Sequence, residues 1–414
     1  MESKKVNWKK NVALFLSGQG VSLFGSMIVS YAVMWHITLT TKSGVAMMFI
    51  ALSSAIPMFF ISPFGGVWAD RFNKKYLINI ADGCIALVTL IMASLFSFGL
   101  QYMALLLVCL AMRGLGQGVQ TPAVNSLIPE IVPEEHLVRI NGFNSTLQSL
   151  VMFGSPIAGG VLIAYTPIQT ALFVDVVTAI IGISILFFLV KTPPPSRETE
   201  VKTAFGDMLE GLKYVKTHAF VKSLLILSLI FNLLVAPAAM LTPLQVVRNF
   251  GEEPWRLVAI ELAFFIGMSM GGLIIGIWGG FKNKTITMFS ATAMSGASVV
   301  GLGIFANFYL YLGCMLMAGL LVSVFNAPLM AILQSKVEPD FMGRVFAVMA
   351  MIGSIAMPAG MFVWGPLSDI VNINLLLVIS GIGIFIMGGM FIFNKPLRMA
   401  GKAEPKSEPL SEPR

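Results

Sequence analysis

Apolar runs of membrane-crossing length alternate with short polar breaks from one end of the chain to the other. They lie near 12–39, 45–68, 76–99, 102–125, 140–164 and 168–190, then near 220–247, 256–280, 285–306, 308–334, 344–368 and 372–394. An α-helix of about 20 apolar residues crosses the hydrocarbon core of a bilayer. The pattern therefore predicts twelve transmembrane helices, six on either side of a longer polar stretch. That stretch, 191–219, contains Thr192-Pro193-Pro194-Pro195, which ends a helix. Further on, Phe205, Met208, Leu209, Leu212 and Val215 recur at helical spacing, with Asp207, Glu210, Lys213 and Lys216 on the other face. This predicts an amphipathic helix lying on the membrane surface or on the bundle. The chain divides into a six-helix half (1–190), a central loop (191–219), a second six-helix half (220–394) and a tail (395–414) whose Pro-, Glu- and Lys-rich composition predicts disorder.

Composition supports lipid as the solvent. Of 414 residues, 57% are hydrophobic and 11% charged, with a mean hydropathy of +0.85; a soluble domain carries roughly 25% charged residues. The fold class is an all-α membrane protein, and a soluble enzyme is excluded. The net charge of +7 sits at the ends of apolar runs and forms no basic face with aromatic or polar readers, so nucleic acid is not an expected partner. Cys84, Cys109 and Cys314 lie singly inside apolar runs, which leaves no metal or redox motif and implies no cofactor. The apolar stretch after Lys4, Lys5, Lys9 and Lys10 is too long for a secretion signal and reads as a retained first span.

Charge orients the bundle. Twenty-three of the 27 Lys and Arg residues fall on one face of the twelve-span arrangement, Lys42, Arg248 and Arg256 on the other, and Arg113 inside a span. Positive residues collect on the cytoplasmic side of short loops, so both termini are expected in the cytoplasm and the protein in the cell membrane. The halves also repeat. Pro122 and Pro328 are offset by 206 residues, as are Pro133 and Pro339, and Ser155-Pro156-Ile157-Ala158-Gly159 has a counterpart in Met357-Pro358-Ala359-Gly360. Two six-helix halves in the same orientation form a parallel repeat, with a substrate site expected between them near the midplane.

Between spans two and three stands Gly66-Val67-Trp68-Ala69-Asp70-Arg71-Phe72-Asn73-Lys74-Lys75. It resembles the cytoplasmic loop signature of the major facilitator superfamily, with Trp68 for the usual Leu and Asn73 for the second Gly. Here Gly66 is expected to let two helices approach, Asn73 to supply a left-handed turn, and Asp70, Arg71, Lys74 and Lys75 to serve a gate. The equivalent loop of the second half, Gly276 to Lys284, lacks the carboxylate. Gly154-Ser155-Pro156-Ile157-Ala158-Gly159-Gly160 is similar to the superfamily's antiporter signature in span five, through Pro156, Gly159 and Gly160. Ordinary close packing of small residues explains the same segment. Arg113-Gly114-Leu115-Gly116-Gln117 matches a third family pattern in part, since Gln117 stands where Gly is usual. Shorter pieces, among them Gly18-Gln19 with Ser22, Ala81-Asp82, Asp175, Glu261 and Gly343-Arg344-Val345-Phe346, resemble the macrolide-efflux and related drug:proton antiporters.

Ionisable residues inside a span are costly and mark function. They are Asp82, Arg113, Asp175 and Glu261, with His36 and Asp369 nearer span ends. The three acids are candidates for carrying a coupling proton, with Arg113 competing for one of them. Asp82 reads equally as a structural partner of the Arg71 region, Asp175 and Glu261 as groups reaching the interface, and His36 as an interfacial histidine. Gln19, Ser22, Met34, Asn144, Gln148, Asn232 and Met240 are candidate cavity residues, in a chain whose 27 Met and 31 Phe suit bulky apolar ligands. The resemblance implies a monomeric, proton-driven exporter of a bulky amphipathic compound. A siderophore or lysophospholipid transporter of the same fold, and a non-transporting membrane sensor, are the alternatives.

Overall fold

Lipid offers no hydrogen bonds, so a backbone that crosses it must satisfy its own N–H and C=O groups. The computed structural model describes residues 8–192, 213–393 and 395–401, and among these it contains helices and no strand. Twelve of the described helices are long and apolar enough to cross a membrane. In the first half they are α1 (Trp8–Thr41), α2 (Gly44–Arg71), α3 (Lys74–Ser97), α4 (Met103–Ile131), α5 (Leu137–Tyr165) and α6 (Ile168–Ser184), the last extended by a π turn over Ile185–Leu189. In the second half they are α7 (Ala219–Met240), α8 (Pro254–Trp278), α9 (Lys284–Ile304), α10 (Phe308–Lys336), α11 (Pro339–Ile370) and α12 (Ile373–Phe393). The protein is a multi-pass membrane protein, and the spans match the apolar runs closely.

Two boundaries differ from the sequence reading. The run 220–247 is broken at Leu241: α7 stops at Met240, and a separate short helix, Thr242–Asn249, continues the span. Pro243, one residue into that helix, has no N–H to continue the ladder. Asn73 adopts no left-handed turn either. At φ −63° its side chain accepts the Lys75 N–H and caps α3, and Asn283 caps α9 in the same way through Thr285 N–H. Of the amphipathic segment in the central loop, Phe205, Met208, Leu209 and Leu212 lie outside the described residues, as does the tail from 402. Val215 and Tyr214 pack into the second half, where Tyr214 stacks on Phe341 at 4.5 Å.

The halves repeat their pairings. In the first, α2 packs on α4, α1 on α5 and α6, and α3 on α4 and α6; in the second, α8 packs on α10, α7 on α11 and α12, and α9 on α10 and α12. The α2–α4 and α8–α10 crossings are made by glycines. A β-carbon on Gly65 would come 2.5 Å from the Gly118 carbonyl oxygen, and one on Gly118 would meet Ile61 and the Met58 carbonyl. In the second half Gly267 and Gly271 lie against the Leu316 and Leu320 carbonyls, and Gly319 against that of Phe264. The expected close approach at Gly66 is absent, since nothing lies within 4 Å of its β-carbon position. One step of 100° along a helix separates Gly65, which packs inward, from Gly66, which does not.

Among the described residues, the buried clusters that join the two halves lie toward one end. The buried clusters nearest the face bearing Trp8 and Phe393, here the basic face, each belong to one half. Clusters that join the halves, around Trp35, Leu257 and Ile260 and around Met47, Met48 and Met361, lie toward the opposite face. There the Asp369 carboxylate accepts from Ser43 Oγ (2.6 Å) and from the backbone N–H groups of Gly44 (2.7 Å) and Val45 (3.0 Å), at the N-terminus of α2. Arg248 donates to Asp369 (2.7 Å), to the Ser368 carbonyl (2.6 Å) and to the Lys42 carbonyl (2.6 Å), and Lys42 pairs with Glu252. Toward the basic face, α5 exposes Val138, Phe143, Gln148 and Leu150. The cleft between the halves opens on that side.

Two outcomes check this packing. Gly118→Val should cost about 1–3 kcal/mol through overpacking, while Gly66→Ala should leave the melting temperature of the purified protein unchanged. Arg248→Ala should loosen the seam, so that a single reporter cysteine, Met48→Cys in a background lacking the native cysteines, reacts severalfold faster with a soluble thiol reagent; an unchanged rate would show that the apolar contacts alone keep it shut.

Candidate functional site

Hydrophobic burial does not hold helices together in lipid, so polar contacts between them carry more of the specificity. In the first half such contacts form a column between α1, α3, α4 and α6. At its centre Arg113 of α4, 3% exposed, pairs with Asp175 of α6, 0% exposed, at 2.5 Å. The same carboxylate accepts from Thr89 of α3 (3.0 Å) and Ser26 of α1 (2.9 Å), so all four helices converge on it, and Arg113 also bonds Thr89. The Nη2 nitrogen of Arg113 has no partner among the described residues.

Two turns along α3 from Thr89, nearer the basic face, lies Asp82, 4% exposed. It faces Gln19 of α1 and Gln120 of α4. Gln120 Nε2 donates to Gln19 Oε1 at 3.0 Å, which leaves Gln19 Nε2 and Asp82 Oδ2 without partners. One turn further, both polar atoms of the Asn79 side chain are likewise unpartnered. Asp82 thus belongs to this column, and no contact joins it to the Arg71 region. Glu261, half-buried on α8, faces Tyr31 of α1 across the seam between the halves.

The motif residues spread over different tasks. Asp70 and Arg71 are exposed, and no hydrogen bond or ion pair holds either among the described residues. Lys74 pairs with Glu130 (2.5 Å), and Lys75 donates to the Val190 carbonyl (2.7 Å), so both tie the basic ends of the first half together. Pro156, Gly159 and Gly160 are buried where α5 meets α1 and α8; a β-carbon on Gly160 would strike Val258 across the seam. Of the cavity candidates, Gln19 and Ser22 are packed inside the column, and Met34 and Met240 are half-buried in the seam. Asn144 and Gln148 lie on the open part of α5, and Asn232 lines a pocket within the second half. Sequence reasoning passed over Thr89, Ser26 and Gln120, because hydroxyls and amides are common in spans; only their helical register with Asp82 and Arg113 marks them out. No group of three or more His, Cys, Asp or Glu side chains able to hold a metal occurs among the described residues.

Comparison with known proteins places this architecture. Residues 12–361 match the family model described as Major Facilitator Superfamily. Macrolide efflux protein A of Streptococcus pyogenes is 27% identical over 91% of this chain and 93% of its own length, and its namesake in Enterococcus faecalis is 27% identical over 75% and 98%. The staphyloferrin A transporter of Staphylococcus aureus is 22% identical over 93% and 96%. Among solved structures, a nucleoside transporter superposes with a TM-score of 0.72 at 13% identity, covering 94% of this chain and 99% of its own. A bacterial homologue of the human lysosomal transporter Spinster, crystallised inward-facing and unoccupied, also gives 0.72 at 11% identity, covering 97% and 100%. Twelve spans in two matching halves, a cleft open on one side and a family model spanning most of the length make this chain a member of the Major Facilitator Superfamily, a transporter.

Proposed function

We propose that the protein exports a bulky amphipathic compound of the macrolide type by proton antiport, its two halves rocking to expose the cleft on alternate faces. The basic face is cytoplasmic on this reading, in line with the positive-inside rule, and the described conformation is the one that loads cargo from the cell. The carrying observation is the pairing of two unlike acids within one column. Asp175 is held by Arg113, while Asp82 is buried with amides around it and no cation in contact. An isolated buried carboxylate is expensive as an anion, and a proton removes that charge. Asp82 is therefore the proton carrier. Arg113, with its spare nitrogen, is the group whose shift toward Asp82 would release the proton when the halves rearrange. Glu261, at the seam itself, is the second candidate, since rocking must alter its contact with Tyr31. The macrolide class rests on the likeness to the two efflux proteins, and the Met and Phe content suits such a cargo.

In proteoliposomes with a trapped pH dye, erythromycin should drive proton flux through the wild type. Asp82→Asn should abolish that flux while drug binding persists. If Asp82→Asn, Asp175→Asn and Glu261→Gln all retain coupled flux, the proton-carrier reading fails; if no macrolide elicits flux from the wild type, the cargo reading fails. The pair itself has a separate signature. Asp175→Asn leaves Arg113 buried without its counter-charge and should destabilise the protein by about 3–5 kcal/mol. Adding Arg113→Gln to that variant should recover much of the loss in a double-mutant cycle.

A further inference from the structure

The repeat carries the charged column of the first half onto a specific place in the second. Both α3 and α9 start after a capping asparagine, Asn73 and Asn283, so Asp82 corresponds to Thr292 at the same step of 210 residues. The proline offset of 206 in α4 and α10 sets Gln120 against Asn326 and Arg113 against Gly319. Arginine, aspartate and glutamine thus become glycine, threonine and asparagine, three smaller or shorter side chains without charge. Two of these three counterparts, Thr292 and Asn326, line a cavity of about 270 Å³ between α7, α9, α10 and α11.

Its chemistry is uniform. Phe231, Phe325, Leu329 and Met349 are among its apolar lining, Thr292 and Ser295 lie buried on α9, and Asn232 and Asn326 stand on α7 and α10. No ionisable side chain lines it. Thr292 and Asn232 spend donors on their own helices, at the Met288 and Ser228 carbonyls. Ser295, though only 5% exposed, makes no hydrogen bond, and neither does Asn326 among the described residues. Asn326, Met330 and Gly353 are exposed at the rim. The volume lies near the roughly 300 Å³ lower limit of small-molecule sites, so the cavity takes part of a bulky compound and leaves the rest in the cleft.

We propose that this cavity is a binding subsite for an uncharged, mainly apolar group bearing a hydrogen-bonding oxygen, such as a lactone ring or a hydroxylated hydrocarbon. It deepens the export reading and rests on it for the identity of the whole cargo. The charge-handling column and the cargo-holding cavity then share three of four helix positions, α1, α3 and α4 answering to α7, α9 and α10, while α6 closes the column and α11 closes the cavity. An oxygen entering the cavity meets the free hydroxyl of Ser295 and the free amide of Asn326, while the apolar remainder displaces poorly held water.

The test uses the full-length protein in liposomes and a neutral probe, an alkyl diazirine carrying one hydroxyl, with adducts mapped by mass spectrometry. Adducts are expected on cavity residues such as Met330 and Met349. A β-carbon at Gly272, on α8 and not part of the cavity, would meet nothing within 4 Å, so Gly272→Ala should label as the wild type does. Gly353→Phe, which fills the mouth, should reduce labelling about tenfold, the scale of losing a buried apolar contact. Ser295→Leu fills the same space from the α9 side and serves if the phenylalanine variant does not fold. Adducts that avoid these residues, or labelling unchanged by both filling variants, would overturn the subsite. Competition by erythromycin separates the two ideas: protection supports both, whereas persistent cavity labelling without protection upholds the cavity and removes the macrolide as cargo.

Discussion

A charge held in hydrocarbon must be answered by another charge, and the first half of this protein is arranged around one such answer. Arg113 and Asp175 come from α4 and α6, and their remaining bonds recruit Thr89 from α3 and Ser26 from α1. No other contact described draws on all four helices at once. Apolar surfaces cannot specify which helix sits beside which, because lipid tails solvate leucine as well as another leucine does. The ion pair can, since every wrong arrangement leaves a buried charge unanswered.

The second half reaches the same layout with no such pair at the corresponding place. Gly319, where the repeat has Arg113, lies against the Phe264 carbonyl and brings α8 and α10 together at the backbone. Gln245 does a related job nearer the opposite face: its amide donates to the Leu302 carbonyl and to Asn374, and it accepts from Tyr311. The halves share a fold and differ in what secures it, charge in one, close backbone approach and neutral amides in the other. The second half also holds a cavity with no charged lining, between α7, α9, α10 and α11.

Much of this was legible from the pattern of residues, and the illegible parts have a common cause. Twelve spans, the polar divide after 190 and the doubled architecture follow from hydropathy and from the Pro122–Pro328 and Pro133–Pro339 offsets, which depend only on position along the chain. What a side chain faces depends on rotation about the helix axis, and in a helix apolar on all sides hydropathy carries no rotational signal. Hence Gly65 rather than Gly66 makes the close contact, and Asp82 joins Gln19 and Gln120 rather than Arg71. The same blindness left open which of the three acids Arg113 answers; the partner is Asp175. Asp369 read as a residue near a span end; its role in joining the halves required knowing that α11 ends beside the start of α2.

The contacts closing the far end of the cleft are of an unusual kind for a shut door. Arg248, Asp369, Lys42 and Glu252 all keep partial exposure to the medium, whereas Met47, Met48 and Met361 of the apolar seam beneath them are buried. Dissolved ions screen exposed pairs over roughly 8–10 Å at physiological strength, and each such pair contributes at most about 1 kcal/mol. The strength of this closure therefore falls as the ionic strength at that face rises, independently of anything the protein binds. Between dilute and concentrated salt the closed end would be weakened by a factor of up to about five per pair, with no change in sequence.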